Sequence, residues 1–261
     1  HAQPTPAPDL TKNPAPTRAP LNPALPTLFI AGDSTAARGR GDRQQGWAEP
    51  FATYFDSAKI NVANRARGGR SSRTFVTEGL WDQLLADLKP GDFVIIQFGH
   101  NDGSPVNEDE SVPKAARRAR GSLPGLGDET KEVDNIITKK HEIVQTYGWY
   151  LRKMIADTKA KGATPILLSL TLRNIWKDGR IERTSRYSRW TAELAASAHV
   201  AFFDLSTAVA DKLEALGAEK TTALYPQDHT HFNAAGADLH ATTAVTGLAQ
   251  LRELSIAKFL K

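Results

Sequence analysis

The chain contains no cysteine, which removes disulfides, iron–sulfur clusters, thiolate zinc sites and a cysteine nucleophile together. It has no apolar run near the roughly 20 residues that a bilayer-spanning helix needs. Charge of one sign is also scarce: 33 Lys and Arg against 29 Asp and Glu leave a net +4 over 261 residues, too little to argue for nucleic acid as a partner. A His-Glu-x-x-His helix and a phosphate loop ending in Gly-Lys-Ser/Thr are both missing, so the two commonest zinc and nucleotide signatures do not apply. The lack of cysteine does not place the chain in the cytoplasm, because a protein of this length buries a full core without covalent staples.

What is present is an ordinary globular composition, 40% hydrophobic and 24% charged, after a proline-rich start. Residues 1–26 carry proline too often for a helix or an inner strand, and read as an extended tail or linker with order beginning at Thr27. A start at His1 rather than Met reads as a processed end. A secreted or periplasmic location is the corresponding expectation. A processed His1 can bind copper, but no second histidine is placed to join it.

Five apolar runs follow: Leu28–Ala31, Ala58–Ala63, Phe93–Phe98, Pro165–Leu170 and Val200–Asp204. Near-continuous apolar runs suit parallel strands buried on both faces. Between them lie helical patterns at Leu80–Leu88, stopped by Pro90-Gly91, at about 139–161, at 206–216 and at 233–249. Strand alternating with helix five times predicts an α/β protein, with helices on both faces of a parallel sheet. The stretch from 103 to about 138 is polar, rich in Pro and Gly, and far longer than a usual βα loop. It reads as an ordered flap beside a site within one catalytic domain, 27–261.

Four polar clusters stand where such a fold gathers its ligands, three at the carboxyl ends of strands and the fourth at the start of the last helix. Gly32-Asp33-Ser34 follows the first run; if helix follows it, Ser34 sits at a positive helix end, although a serine there is also an ordinary cap. Gly68-Gly69 follows the second run and lets a backbone N–H face a ligand unobstructed, as any tight turn would. Gly99-His100-Asn101-Asp102 follows the third; a carboxamide ending a core strand needs a partner, whether an oxyanion or a loop carbonyl. Asp228-His229-Thr230-His231 precedes the last helix. A carboxylate three residues from an imidazole can orient it toward a serine. A metal site built from Asp228, His229 and His231 lacks further ligands.

In this order and spacing the four blocks resemble those of the SGNH (GDSL-type) hydrolases, and within them the rhamnogalacturonan acetylesterase branch, over nearly the whole chain after the tail. The resemblance implies a flavodoxin-like three-layer α/β/α sandwich with a five-stranded parallel sheet. It implies Ser34 as nucleophile, His231 as base, Asp228 as its orienting carboxylate, and an oxyanion hole from Ser34, Gly69 and Asn101. It implies no cofactor and no metal. Thr35, where many members of the wider family carry leucine, leans toward the acetylesterase branch.

The implied substrate is an acetylated polysaccharide or oligosaccharide of the pectic type. Arginines fit it, since a guanidinium grips a carboxylate through two parallel hydrogen bonds. They cluster at Arg38, Arg40, Arg67, Arg70 and Arg73, and again, with Lys177, at Arg173, Arg180, Arg183, Arg186 and Arg189; solubilising surface charge is the rival reading, above all for the second cluster. Arg38, Arg70, Arg73, His100, Trp176 and His229 are the expected substrate contacts, with Trp47, Trp176 and Trp190 as possible platforms for sugar rings. Three other readings stand beside this one: an acetylxylan esterase, lipase-like hydrolase or acyltransferase using the same residues; a catalytically silent carbohydrate-binding protein in which Ser34 only caps; and a nucleic-acid-binding domain resting on the arginines alone.

Overall fold

The structure, a computed structural model, describes residues 20–39, 43–183 and 185–261. The first half of the chain forms β1 (Thr27–Gly32), α1 (Ala48–Ala52), β2 (Asn61–Asn64), α2 (Ser72–Thr77), α3 (Leu80–Asp87), β3 (Phe93–Gln97), β4 (Thr130–Asp134) and β5 (His141–Gln145). The second half forms α4 (Tyr147–Ala160), β6 (Thr164–Leu168), β7 (Trp176–Lys177), β8 (Arg180–Ile181), α5 (Arg186–Ala198), β9 (Ala201–Phe203), α6 (Leu205–Leu216), α7 (Ala218–Leu224) and α8 (Ala234–Gln250), then a closing 3-10 turn, Ser255–Phe259. Among the described residues no helix is long and apolar enough to cross a membrane.

Five strands make one parallel sheet in the order β2-β1-β3-β6-β9. Every residue of β1 and of β3 is buried, and the two-residue period of a strand splits them between two cores. Leu28, Ile30 and Ile95 join α1, α6 and α8 through Phe51, Val209, Leu213 and Ala241. Phe29, Ala31, Val94 and Ile96 join α2, α3, α4 and α5 through Phe75, Leu84, Leu151, Met154 and Leu194. The result is the expected three-layer α/β/α sandwich, each apolar side chain of the central strands contributing about 1.5–3 kcal/mol by burial.

The longer helices start where short polar side chains cap them. Thr146 accepts from the Trp149 N–H, Ser185 from Ser188, Asp204 from Thr207 and Asn233 from Gly236, each satisfying a helix N–H that has no partner in the turn above. Ser71 and Thr74 form a reciprocal capping box on α2.

Several expectations need correction. Order begins before Thr27: Asn22 exchanges hydrogen bonds with Asn61 at 3.0 Å each way, and Leu21 packs against the α2–α5 core. The rest of the expected tail, including His1, lies outside the described residues. Ala58 belongs to a turn closed by Asp56 rather than to the second strand. Among the described residues no helix follows Ser34 before α1 at Ala48; the chain makes one turn, with the N–H groups of Ala36 and Ala37 on the Asp33 carbonyl. The helix expected from 139 starts at Tyr147, because His141–Gln145 pairs in antiparallel register with Thr130–Asp134. Val144 is buried and Ile143 is 55% exposed, the alternation of a strand. The excursion after β3 therefore runs on to Gln145 and closes on the start of α4 through the Leu123–Thr146 bridge.

Candidate active site

Ser34 follows β1, whose two neighbours, β2 and β3, lead off in opposite directions across the sheet. Loops diverge at such a reversal and leave a crevice. Asp33 shapes the turn: its Oδ1 accepts from the backbone N–H of Thr35 and from the Thr35 hydroxyl, both at 2.9 Å, an Asx turn that holds Ser34 at its apex. Asp33 and Thr35 are buried while Ser34 is partly open.

The Ser34 Oγ lies 2.8 Å from His231 Nε2, across 197 residues of sequence. His231 Nδ1 lies 2.7 Å from Asp228 Oδ2, and Asp228 Oδ1 accepts from the N–H groups of Thr230 and His231 at 2.7 and 2.8 Å. Burial pushes the Asp228 carboxyl up, but the His231 side chain and these backbone donors outweigh it and hold it below the usual range. Both Asp228 oxygens are thus committed to the histidine and its loop, an arrangement that orients an imidazole rather than a metal ion.

The loop carrying His231 is fastened through its neighbours. Phe232 is buried, stacks on the His240 ring at 4.3 Å and meets Tyr225 edge-on at 5.9 Å. The Phe232 carbonyl accepts from Gln45 N–H and the His229 carbonyl from Asn174 N–H. His240 itself is fully buried with its Nδ1 on the Gly236 carbonyl at 2.8 Å, and burial lowers its pKa to about 4, so it is neutral and apolar in character.

On the other side of Ser34 lie the second and third loops. Gly69 has φ +78°, a left-handed conformation that favours glycine, and at the preceding Gly68 an added Cβ would sit 3.7 Å from the Ser34 Cβ. Asn101 donates from Nδ2 to the Arg70 carbonyl at 2.9 Å, which ties the third loop to the second beside Gly69. Among the described residues the Ser34 and Gly69 N–H groups have no acceptor. Two open backbone donors and a carboxamide near a hydroxyl are the groups that a receptor for a developing oxyanion would need.

Beneath these loops Asp102 is buried and takes the Ser72 hydroxyl at 2.5 Å and the Ser72 N–H at 3.2 Å. Burial raises its pKa to about 6 against these hydrogen bonds. His100 donates to or accepts from the Thr171 hydroxyl at 2.9 Å, and burial lowers its pKa, with Asp33, Arg173 and His231 also acting on it. It lines a hollow of about 530 Å³ between the β3 loop, the β6 loop and the start of α5.

The structure divides the expected substrate contacts. Arg73 is fully buried, paired with Glu142 at 2.6 Å and donating to the Val106 and Gly121 carbonyls; it fastens the excursion to α2 and cannot reach a ligand. Arg70 is turned onto Glu78 at 2.8 Å and onto its own loop at Gly68. Arg38 lines a different hollow, with Pro20, Glu49 and Asn64. Trp176 packs on the core and gives its indole N–H to Asn174, while Trp47 is wholly buried on Gln97. Only His100 and the exposed His229 remain beside the centre. Arg40 lies outside the described residues. Sequence reasoning missed Arg120, which reaches from the excursion to the Gly69 carbonyl at 3.2 Å and to Ser104 Oγ at 3.1 Å; in the run Ala115-Ala116-Arg117-Arg118-Ala119-Arg120 it reads as solvated charge.

A parallel sandwich with a Ser–His–Asp line at its strand ends defines a hydrolase-type α/β protein. The model of the GDSL-like Lipase/Acylhydrolase family matches residues 30–239, and the chain belongs to that family. It is 36% identical to a rhamnogalacturonan acetylesterase of Emericella nidulans over 82% of this chain and 81% of that one. It is 28% identical to the rhamnogalacturonan acetylesterase RhgT of Bacillus subtilis, over 86% and 90%. Among solved structures, the Bacillus subtilis protein YxiM superposes with a TM-score of 0.68 at 27% identity; the match covers 87% of this chain, which spans only 56% of that longer one. The Geobacillus stearothermophilus acetylxylan esterase Axe2 shares the fold, with a TM-score of 0.56 at 18% identity and coverage of 85% and 94%.

Proposed function

We propose that this chain is a serine esterase that removes O-acetyl groups from pectic polysaccharide of the rhamnogalacturonan type. The observation that carries the reading is the continuous line from Ser34 Oγ through His231 to Asp228, at 2.8 and 2.7 Å, beside the open N–H groups of Ser34 and Gly69. The two acetylesterase relatives supply the substrate class.

In this reading His231 Nε2 takes the Ser34 proton as Oγ attacks the acetyl carbonyl carbon. Asp228 keeps the Nδ1 proton in place and offsets the imidazolium charge. The new C–O⁻ is met by the Ser34 and Gly69 N–H groups and the Asn101 amide. As the C–O bond to the sugar breaks, His231 protonates the departing hydroxyl. Water, deprotonated by the same ring, then releases acetate and restores Ser34. No cofactor enters these steps. A polymer that does not cross membranes goes with a site of action outside the cytoplasm, which forms part of the same proposal.

The test is acetate release from acetylated rhamnogalacturonan, with acetylated xylan as comparator. We expect the pectic substrate to be preferred and Ser34→Ala to abolish release. Undiminished turnover in a folded Ser34→Ala protein would rule the mechanism out, and equal rates on both polymers would remove the substrate assignment.

A further inference from the structure

The geometry points to a carboxylate-binding subsite in the hollow beside the candidate centre, in which Arg173 and Arg186, flanked by Arg120, hold a uronate carboxylate of the same polysaccharide whose acetyl group faces Ser34. This deepens the esterase reading and rests on it. Four arginines line the hollow, and they are not equivalent. Arg183 is neutralised by Asp211 at 2.6 Å and Glu214 at 2.7 Å. Arg173 and Arg186 are exposed and, like Arg120, have no ion-pair partner within 4 Å among the described residues.

Arg186 is nonetheless held, lying 5.5 Å over the Tyr187 ring and 5.9 Å over that of Trp190. A stacked guanidinium keeps its N–H edge available for a planar anion. Arg120 is half-buried, and loss of solvent together with the nearby Arg118 and Arg70 makes its charge costly to hold; an anion in the hollow relieves that cost. Among the described residues Glu182 is the one carboxylate on the same wall, so three unneutralised cations face one anion there.

Two residues of its lining link the hollow to the centre. His100 lines it and feels the charge of His231. Arg120 lines it and bonds the Gly69 carbonyl. The hollow's volume of about 530 Å³ has room for more than one sugar ring and lies within the usual range for small-ligand sites. Backbone dipoles add to the attraction, since Ser185 and Ser206 bring the first turns of α5 and α6 to its wall.

The experiment is a titration of the Ser34→Ala protein with deacetylated rhamnogalacturonan oligosaccharides and with the same oligosaccharides after reduction of their carboxyl groups to alcohols. We expect the acidic form to bind roughly tenfold or more tightly, with the advantage shrinking as salt rises. Adding Arg173→Gln and Arg186→Gln should erase that advantage and leave the affinity for the reduced form as it was; the Lys pair should restore part of it. Equal affinity for the two forms overturns the subsite, as does full retention of the advantage in the Gln pair. If the Gln pair fails to fold, the comparison of acidic and reduced ligands still decides. Acetate release measured in parallel with Ser34 intact separates the two readings. Discrimination in the titration with no release from any acetylated saccharide supports the subsite and sinks the esterase; release without discrimination does the reverse.

Discussion

The two sides of the candidate centre are built by opposite means. On the sheet side Asp33, Thr35, Asn101 and Asp102 are all buried, and their loops are locked to strands that form the core. On the other side the Asp228 and His231 side chains are 44% and 27% exposed, on a loop held by what its neighbours do: Phe232 on His240, and two backbone carbonyls tied to Gln45 and Asn174. The contrast teaches that the proposed oxyanion receptor belongs to the fold while the proposed relay is an attachment to it. Chemistry and stability should therefore separate on the relay side and coincide on the sheet side.

The sharpest test of that separation is to delete the relay. Ser34→Ala and His231→Ala should each lower kcat by about 10⁴-fold or more while the melting temperature moves by only a degree or two. Asp228→Asn should follow at about 10³- to 10⁴-fold, by supplying the wrong hydrogen-bond partner to the imidazole. A large drop in melting temperature in these variants would break the comparison. On the sheet side, Asn101→Ala should cost about 10²- to 10³-fold in kcat and also about 1–3 kcal/mol of stability, since the Arg70 carbonyl loses its donor; denaturant unfolding checks the second half.

Titration of the buried groups sharpens the contrast further. His240 has a pKa depressed by burial to about 4, so below its unfolded value of 6.5 the unfolded chain binds the extra proton. Its stabilisation is present above pH 6.5 and is lost as pH falls toward 4. Asp102 is raised to about 6, so between about 4 and 6 the folded state holds the extra proton. Its contribution falls as pH rises through that window. Each is worth on the order of 2–3 kcal/mol over its range. Melting curves from pH 4 to 7 should flatten at the acid end in His240→Phe and become steeper there in Asp102→Asn; unchanged slopes in both would remove the effect. Smallest of all, Arg38→Gln, whose side chain faces the other hollow, should keep kcat/KM on acetylated rhamnogalacturonan within about twofold.

Much of this was legible in the sequence, and the failures have physical causes. The runs at β1, β3 and β6 were clear because burial on both faces leaves few polar residues to blur them, whereas the edge strand β2, only partly buried and bounded by Asn61 and Asn64, had its start misplaced at Ala58. The four site clusters were legible because strand ends converge by topology. The helix expected from 139 failed because a short strand with one buried position fits a helical stripe by accident; Ile143 and Val144 are adjacent, and only pairing with Thr130–Asp134 decides between the two. Arg73 and Arg70 failed because charge is visible in a sequence and its partner is not: Glu142 lies 69 residues from Arg73. Trp47 failed as a sugar platform because the Gln97 carboxamide, reaching from β3, satisfies its indole N–H in the core. Arg120 had no short-range signal, since only the folded excursion carries it to Gly69.

In the proposed reading, the openness of the relay bears on the fate of the acetyl group once it sits on Ser34. A partly exposed imidazole, 27% open to solvent, admits small acceptors without selecting among them, so partitioning between them follows abundance, and water prevails. Methanol added to the assay should accordingly divert acetyl to methyl acetate in simple proportion to its concentration, the behaviour of a hydrolase by exposure rather than by selection.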